Sequence, residues 1–225
     1  MDKSKITFKK IERYLREVSV VVLGVAITLS VTVWINNRSE KRDMVLYLNA
    51  MKIELEENIK VIDRVIEYLQ PAANYEKYLR THDKKSLNED TLVYYANSCC
   101  YILNKYVYKT NTFEMFKSSG VMRLVNDKTL LMSIWDVYTD FISQNETLKW
   151  YSDSKWEHME KDLVFVENSM MDFSKLPNRA PMYNFFNSGL TSSILKDCEN
   201  ILENTKRTVS KLEQQNCKKV VSSLR

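Results

Sequence analysis

Residues able to do chemistry are few and scattered along this chain. His158 and Asp162 stand one helical turn apart with Glu157 and Glu160 beside them, which could supply two ligands to a metal ion. A solvated polar helix face accounts for the same residues without metal. The other histidine, His82, sits in the charged loop His82-Asp83-Lys84-Lys85. Cys99, Cys100, Cys198 and Cys217 permit two disulfides, but their spacing demands none. A bond between the neighbours Cys99 and Cys100 would strain the backbone, so free, half-buried thiols are expected. Glu54, Glu56 and Glu57 read as a charged helix surface. The chain carries no nucleophile motif and no zinc-type cysteine pairing, and three glycines are too few for a phosphate-cradling loop. These residues predict no catalytic group, no metal and no cofactor.

The elements that must position the rest begin with Val18 to Ile35, VSVVVLGVAITLSVTVWI. These eighteen residues carry no charge and include eleven Val, Ile or Leu. As a helix they would be roughly 27 Å long, enough to cross a hydrocarbon core. Lipid forces such a β-branched run to satisfy its backbone as a helix. The hydroxyls of Ser19, Thr28, Ser30 and Thr32 can bond to carbonyls one turn earlier. A cleaved signal peptide also begins with a basic segment and an apolar run, but this run ends in Val33-Trp34-Ile35-Asn36-Asn37-Arg38 without a small-x-small cleavage pattern. Residues 18–36 are therefore expected to form a transmembrane helix, with the lipid bilayer as first partner.

Trp34 and Arg38 at the far end, and Arg13 and Arg16 at the near end, fit interfacial anchors. Gly24, Thr28 and Thr32 recur every four residues and form one small-residue face, which can pack closely on another helix. Residues 1–17 carry six basic and three acidic side chains; Arg38, Lys41 and Arg42 follow the span. The positive-inside rule therefore predicts a cytoplasmic N-terminus and a translocated body. Ile6, Phe8, Ile11, Tyr14 and Leu15 give residues 1–17 the pattern of a basic amphipathic helix.

Of the net charge of +4, that tail supplies +3, so the body is nearly neutral. A nucleic-acid partner, which needs a basic face on the folded domain, is thereby disfavoured. The 225 residues contain only three Gly and three Pro. A sheet protein needs many turns, so long helices and few connections are expected. The predicted fold is all-α: a single N-terminal transmembrane helix continuing into a long stalk helix (about 39–70) and an extracytoplasmic helical bundle, with 37–225 as one domain.

Along the stalk, Met44, Leu48, Met51, Leu55, Asn58, Ile62, Val65 and Leu69 alternate steps of four and three. Val45, Ile59 and Ile66 widen the stripe, which suits packing within a bundle more than a two-stranded coiled coil. Asn58 falls on the seam and could fix register. The helix is expected to stop before Pro71. Ser86 to Glu89 has the spacing of a capping box, predicting a tyrosine-rich second helix to about Tyr108. Thr112 can cap a short helix that Gly120 closes in the left-handed conformation. Val121 and Leu124 would then cross the core, with Asn126 or Asp127 capping the next helix. That helix, the longest expected, runs to about Met171, with a kink or exposed end in its polar middle, Asn145 to Lys155. Pro177 and Pro181 mark a loop, and a last helix starts at Thr191 and frays at Gln214-Gln215-Asn216.

One resemblance emerges from Glu17-Val18, Val22-Leu23-Gly24-Val25, Ile35-Asn36-Asn37 and Phe113-Glu114-Met115-Phe116-Lys117-Ser118-Ser119-Gly120. Together they resemble an uncharacterised family of small single-pass proteins from Gram-negative bacteria. Its members end the span in I-N-N-W-N-E and carry an F-x-x-L-K-S-S-G corner, here Phe113, Phe116, Ser119, Gly120 and Leu124. The chain departs from that pattern at Arg38-Ser39-Glu40 and at Phe116. The resemblance covers roughly the first two-thirds and implies an inner-membrane anchor with a periplasmic domain of unknown function.

Two functions follow as expectations. The first is a non-enzymatic membrane-anchored interaction or scaffold module, with a protein partner or self-association. The second is a ligand-sensing bundle working with a separate transmembrane partner, its ligand unknown. A polar cavity among Tyr94, Tyr101, Trp135 and Tyr138 would favour the second; a contiguous exposed apolar patch would favour the first.

Overall fold

The computed structural model describes the backbone of residues 3–167 and 170–223 and the side chains of residues 16–166 and 170–215. It is all-α, 81 % helical. The first helix, α1, runs unbroken from Lys3 to Thr81. It passes through the apolar stretch, which is fully exposed and is long and apolar enough to cross a membrane. The basic tail is the start of the same helix; its side chains, Arg13 among them, lie outside the described residues.

Helix α1 does not stop before Pro71. Proline removes one N–H and disfavours a helix interior, yet Ala72, Ala73, Tyr75 and Leu79 beyond it are buried. Burying two large side chains outweighs the lost bond, about 2–3 kcal/mol each for Tyr75 and Leu79 against roughly 3 kcal/mol for the proline. The seam Leu48, Met51, Leu55, Asn58, Ile62, Val65 and Leu69 is entirely buried. Residues 44–79 are thus an inner member of the bundle, as the wide stripe predicts.

The chain then makes four passes. After a turn at 82–88, the second pass returns along α1 as α2 (Glu89–Tyr95), a π-helical turn (Ala96–Cys100), a non-helical segment 102–110 and α3 (Asn111–Ser118). The cap of α2 is Asn88, whose side chain accepts from the Thr91 N–H; Ser86 instead donates to the Asp83 carbonyl. The single tyrosine-rich helix expected to Tyr108 is broken. Thr110 precedes α3, and Thr112 turns its N–H and hydroxyl to Glu54 rather than capping.

Gly120 is left-handed, with φ 73°, and a 3-10 turn follows at Val121–Leu124. Val121 is buried and Leu124 half-buried. Asp127 caps α4 (Lys128–Leu163) by accepting from Thr129 and Leu130. This 36-residue helix is shorter than α1 and ends eight residues before Met171. The rest of the expected helix is a small antiparallel hairpin, β1 (Val166–Glu167) with β2 (Met170–Met171). A loop through Pro177 and Pro181 leads to α5 (Tyr183–Phe186) and then α6 (Leu190–Ser223).

Cross-helix bonds fix the directions. Tyr138 bonds Glu54 and Lys155 bonds Tyr68, so α4 runs parallel to α1. Ser192 bonds Glu76 and Lys52 pairs with Glu213, so α6 runs antiparallel to it. The result is an up-down-up-down bundle whose second pass is mostly not helix.

Candidate functional site: a clamped segment beside a buried lysine

Segment 102–110 lies between α1 and α4 and is held from both sides. Asn58 of α1 donates to the Lys109 carbonyl and accepts from the Lys109 N–H, both at 2.8 Å. Asn145 of α4 does the same to Tyr108, at 3.1 and 2.8 Å. Each carboxamide therefore satisfies both backbone polar groups of one residue, as a neighbouring antiparallel strand would. Asn58 on the buried seam thus has a defined partner in this segment.

At the other end Lys155 is wholly buried. Its ammonium donates to the Ile102 carbonyl at 2.7 Å and to the Tyr68 hydroxyl at 2.9 Å, and it lies 4.9 Å from the Tyr68 ring centre. Burial pulls its pKa down from the ordinary 10.5 to about 8. Beside it, Cys99 and Cys100 are free and buried, more so than expected, and so is Cys198. Cys100 holds the Cys99 thiol below its usual range, while burial drives Cys100 well above it. Cys217 lies outside the described residues.

Asp162 is not on a solvated face. Its carboxylate is buried, accepts from the Met182 N–H and from the Tyr101 hydroxyl at 3.4 Å, and burial raises its pKa. The His158 ring nitrogen lies 2.8 Å from the Ser154 carbonyl. Among the described residues no group of three metal ligands forms. Glu54 is also buried rather than solvated, bonded by Thr112 and by the Tyr138 hydroxyl at 2.8 Å. Glu57 and Glu56 do face solvent, paired with Lys109 and Lys52. Glu54, Asp162 and Lys155 spend their hydrogen-bonding capacity on backbone groups, tyrosines and the Thr112 hydroxyl. The arrangement locks the second pass in place and offers no open nucleophile.

Gly24 has nothing near its Cα hydrogens, and Thr28 and Thr32 bond back to Gly24 and Thr28 carbonyls at 2.9 Å, leaving that face exposed. Arg16 is exposed, and the Arg38 guanidinium lies 5.7 Å from the exposed Trp34 ring. In the corner, Phe113 stacks on Tyr138 at 4.6 Å, Phe116 is fully buried, and Ser119 bonds the Phe116 carbonyl at 2.8 Å. Tyr94, Tyr101, Trp135 and Tyr138 are not brought together: Tyr94 and Trp135 face solvent, while Tyr101 and Tyr138 serve Asp162 and Glu54. Among the described residues these four line no common cavity, the feature that would have favoured ligand sensing.

What the sequence reading missed is the outer face of α4. Trp135, Ile142, Trp156 and Leu163 are 43, 41, 46 and 46 % exposed, and they share one seven-residue spacing with Lys149 in the middle position. The heptad was in the sequence, masked by the stronger buried seam of the same helix. Beside Trp156, two adjoining grooves of about 430 and 640 Å³ run between α4 and segment 102–110.

The fold and these sites define an all-α bundle built on one long apolar N-terminal helix. No protein-family model, no curated protein and no solved structure matches the chain.

Proposed function

We propose that this chain is a non-enzymatic, single-pass membrane protein whose bundle is a self-associating scaffold on the periplasmic side of the inner membrane. The outward stripe on α4 carries the reading. Four large apolar side chains recurring once per heptad on an exposed face offer an apolar line against which a second helix can pack. Because α4 runs parallel to α1, two copies anchored in one bilayer present their α4 helices parallel to each other. That is the geometry a twofold heptad seam requires. Lys149, the one charge on the stripe, has Glu146 and Asp153 one turn to either side as cross-seam partners. The open Gly24–Thr28–Thr32 face supports close approach of the spans. The positive-inside asymmetry and the family resemblance support the orientation. Burial of Lys155, Asp162, Cys99 and Cys100 supports a structural rather than a catalytic use of those groups.

Two cysteine experiments test it on the full chain in its own membrane, with the native cysteines replaced. Under mild oxidation Ile142→Cys should give a disulfide dimer of twice 26.6 kDa, whereas Asn97→Cys, on an exposed part of the second pass, should not. Absence of the Ile142→Cys dimer, or equal dimer at both positions, rejects self-association through α4. Lys84→Cys should react with an impermeant maleimide only from the periplasmic side. Reaction from the cytoplasmic side reverses the orientation.

A further inference from the structure

We propose that the end of the bundle farthest from the apolar span binds a small organic anion with an apolar body. The cleft lies between the turn at Lys84–Leu87 and the loop at Met170–Arg179. Its volume is about 770 Å³, within the range that encloses small molecules. Leu87, Leu92 and Phe173 form an apolar floor, and Lys84, Lys85 and Arg179 stand around it.

Charge favours an anion. Among the described residues, Lys85 and Arg179 have no side-chain partner, and the Lys84 ammonium meets only the Tyr183 ring, 5.1 Å from its centre. Asp172, on the same wall, is already engaged. It accepts from the Ser174 N–H at 3.0 Å and hydroxyl at 2.6 Å and pairs with Lys175 at 3.3 Å. Among the described lining residues, Glu89 is the carboxylate left to oppose the three cations.

The loop that carries Arg179 is longer and more strained than the topology needs. Helix–helix connections in bundles commonly take about 2–8 residues, whereas α4 ends at Leu163 and α6 begins only at Leu190. Asn178, Arg179 and Met182 have φ of 57°, 60° and 49°. Left-handed backbone is costly for residues other than glycine and asparagine, and persists at Arg179 and Met182 only where the surroundings over-determine it. Here the buried Asp162 carboxylate holds the Met182 N–H, and the buried Tyr75 hydroxyl holds the Pro181 carbonyl at 2.9 Å. Two core groups thus fix the loop that sets Arg179 over the cleft. The cleft is at the level of Thr81, roughly 65 Å beyond Asn36 along α1, so in the proposed topology headgroups of the anchoring membrane cannot reach it. The inference does not depend on self-association.

The test uses the full chain in nanodiscs of zwitterionic lipid, with empty nanodiscs subtracted. Calorimetric titrations compare 4-phenylbutyrate and decanoate with 4-phenylbutylamine, which has the same body and opposite charge, and with acetate, which lacks the body. Saturable binding of a carboxylate probe is expected, at least about tenfold tighter than that of the amine or acetate. The double variant Lys85→Glu, Arg179→Glu should lose about tenfold for the carboxylate at an unchanged melting temperature, and Arg179→Gln should lose less. Equal binding of amine and carboxylate, acetate binding as well as phenylbutyrate, unaltered binding in the double variant, or no saturable binding of either carboxylate overturns the proposal.

Discussion

At the residue scale Lys155 makes the sharpest statement, because a charge with no access to water must be held by dipoles alone. Its folded pKa of about 8 lies below the ordinary 10.5. Between those values the unfolded chain binds a proton that the folded chain does not, so stability rises with pH across that window. Going from pH 7.5 to 9.5, the natural chain should gain about 2 kcal/mol relative to Lys155→Met. Tyrosines and thiols common to both chains largely cancel from that difference. Denaturant unfolding at the two pH values measures it, and a pH-independent difference would show that Lys155 is not charged and buried as described. At pH 7.5 the methionine variant should be at least as stable, since Tyr68 still donates to the Ile102 carbonyl at 3.1 Å. None of this was legible in the sequence. Lys155 keeps the inward spacing of α4 but sits in a polar stretch that reads as a kink or exposed end, and its bonding partner 53 residues away carries no signal in the sequence. Asn58 was visible as an anomaly on an apolar seam, but its partner Lys109 was not, since a side chain that serves a distant peptide leaves no periodic trace.

Helices with a strong apolar period were legible as elements, and those whose ends depend on tertiary contacts were not. The stripe from Met44 to Leu69 and the inward face of α4 from Ile134 to Met159 follow from spacing, whereas Leu163, on the same inward spacing, is exposed. Pro71 is a local stop signal overridden by Tyr75 and Leu79, which the core demands. The second pass fails as a helix because Asn58, Asn145, Tyr68 and Lys155 supply its backbone with partners from outside. Gly120 is the opposite case, where local chemistry decides. Its φ of 73° favours glycine, and a Cβ there would meet nothing within 4 Å. The cost of Gly120→Ala is therefore conformational, about 1 kcal/mol, with no added steric penalty. Thermal or denaturant unfolding should show that loss, and Gly120→Asn, better tolerated in left-handed backbone, should lose less. An alanine variant as stable as the natural chain would mean that the corner can re-form without left-handed backbone at 120.

For the whole molecule the decisive feature is that one helix serves as both apolar N-terminal segment and bundle core. No flexible linker separates them, so the bundle's height and tilt are set by whatever holds residues 18–36. In the proposed topology the Phe113–Leu124 corner lies at the headgroup layer, because Arg123 pairs with Glu40 at 2.8 Å, only about 8 Å along α1 from Ile35. The turn at 82–88 lies roughly 60–70 Å from the membrane surface, allowing for a tilt of about 20°. A fluorophore on Ser118→Cys should therefore transfer energy efficiently to an acceptor on lipid headgroups, and one on Lys84→Cys should transfer little. Inserting Gly-Gly-Ser after Asn37 would break the continuity and should raise transfer from position 84 while the bundle's own melting is retained. Equal transfer from 84 and 118 in the unaltered helix would mean that the bundle lies along the bilayer. The α4 stripe would then face lipid, leaving it a membrane-contacting surface in place of a seam between copies.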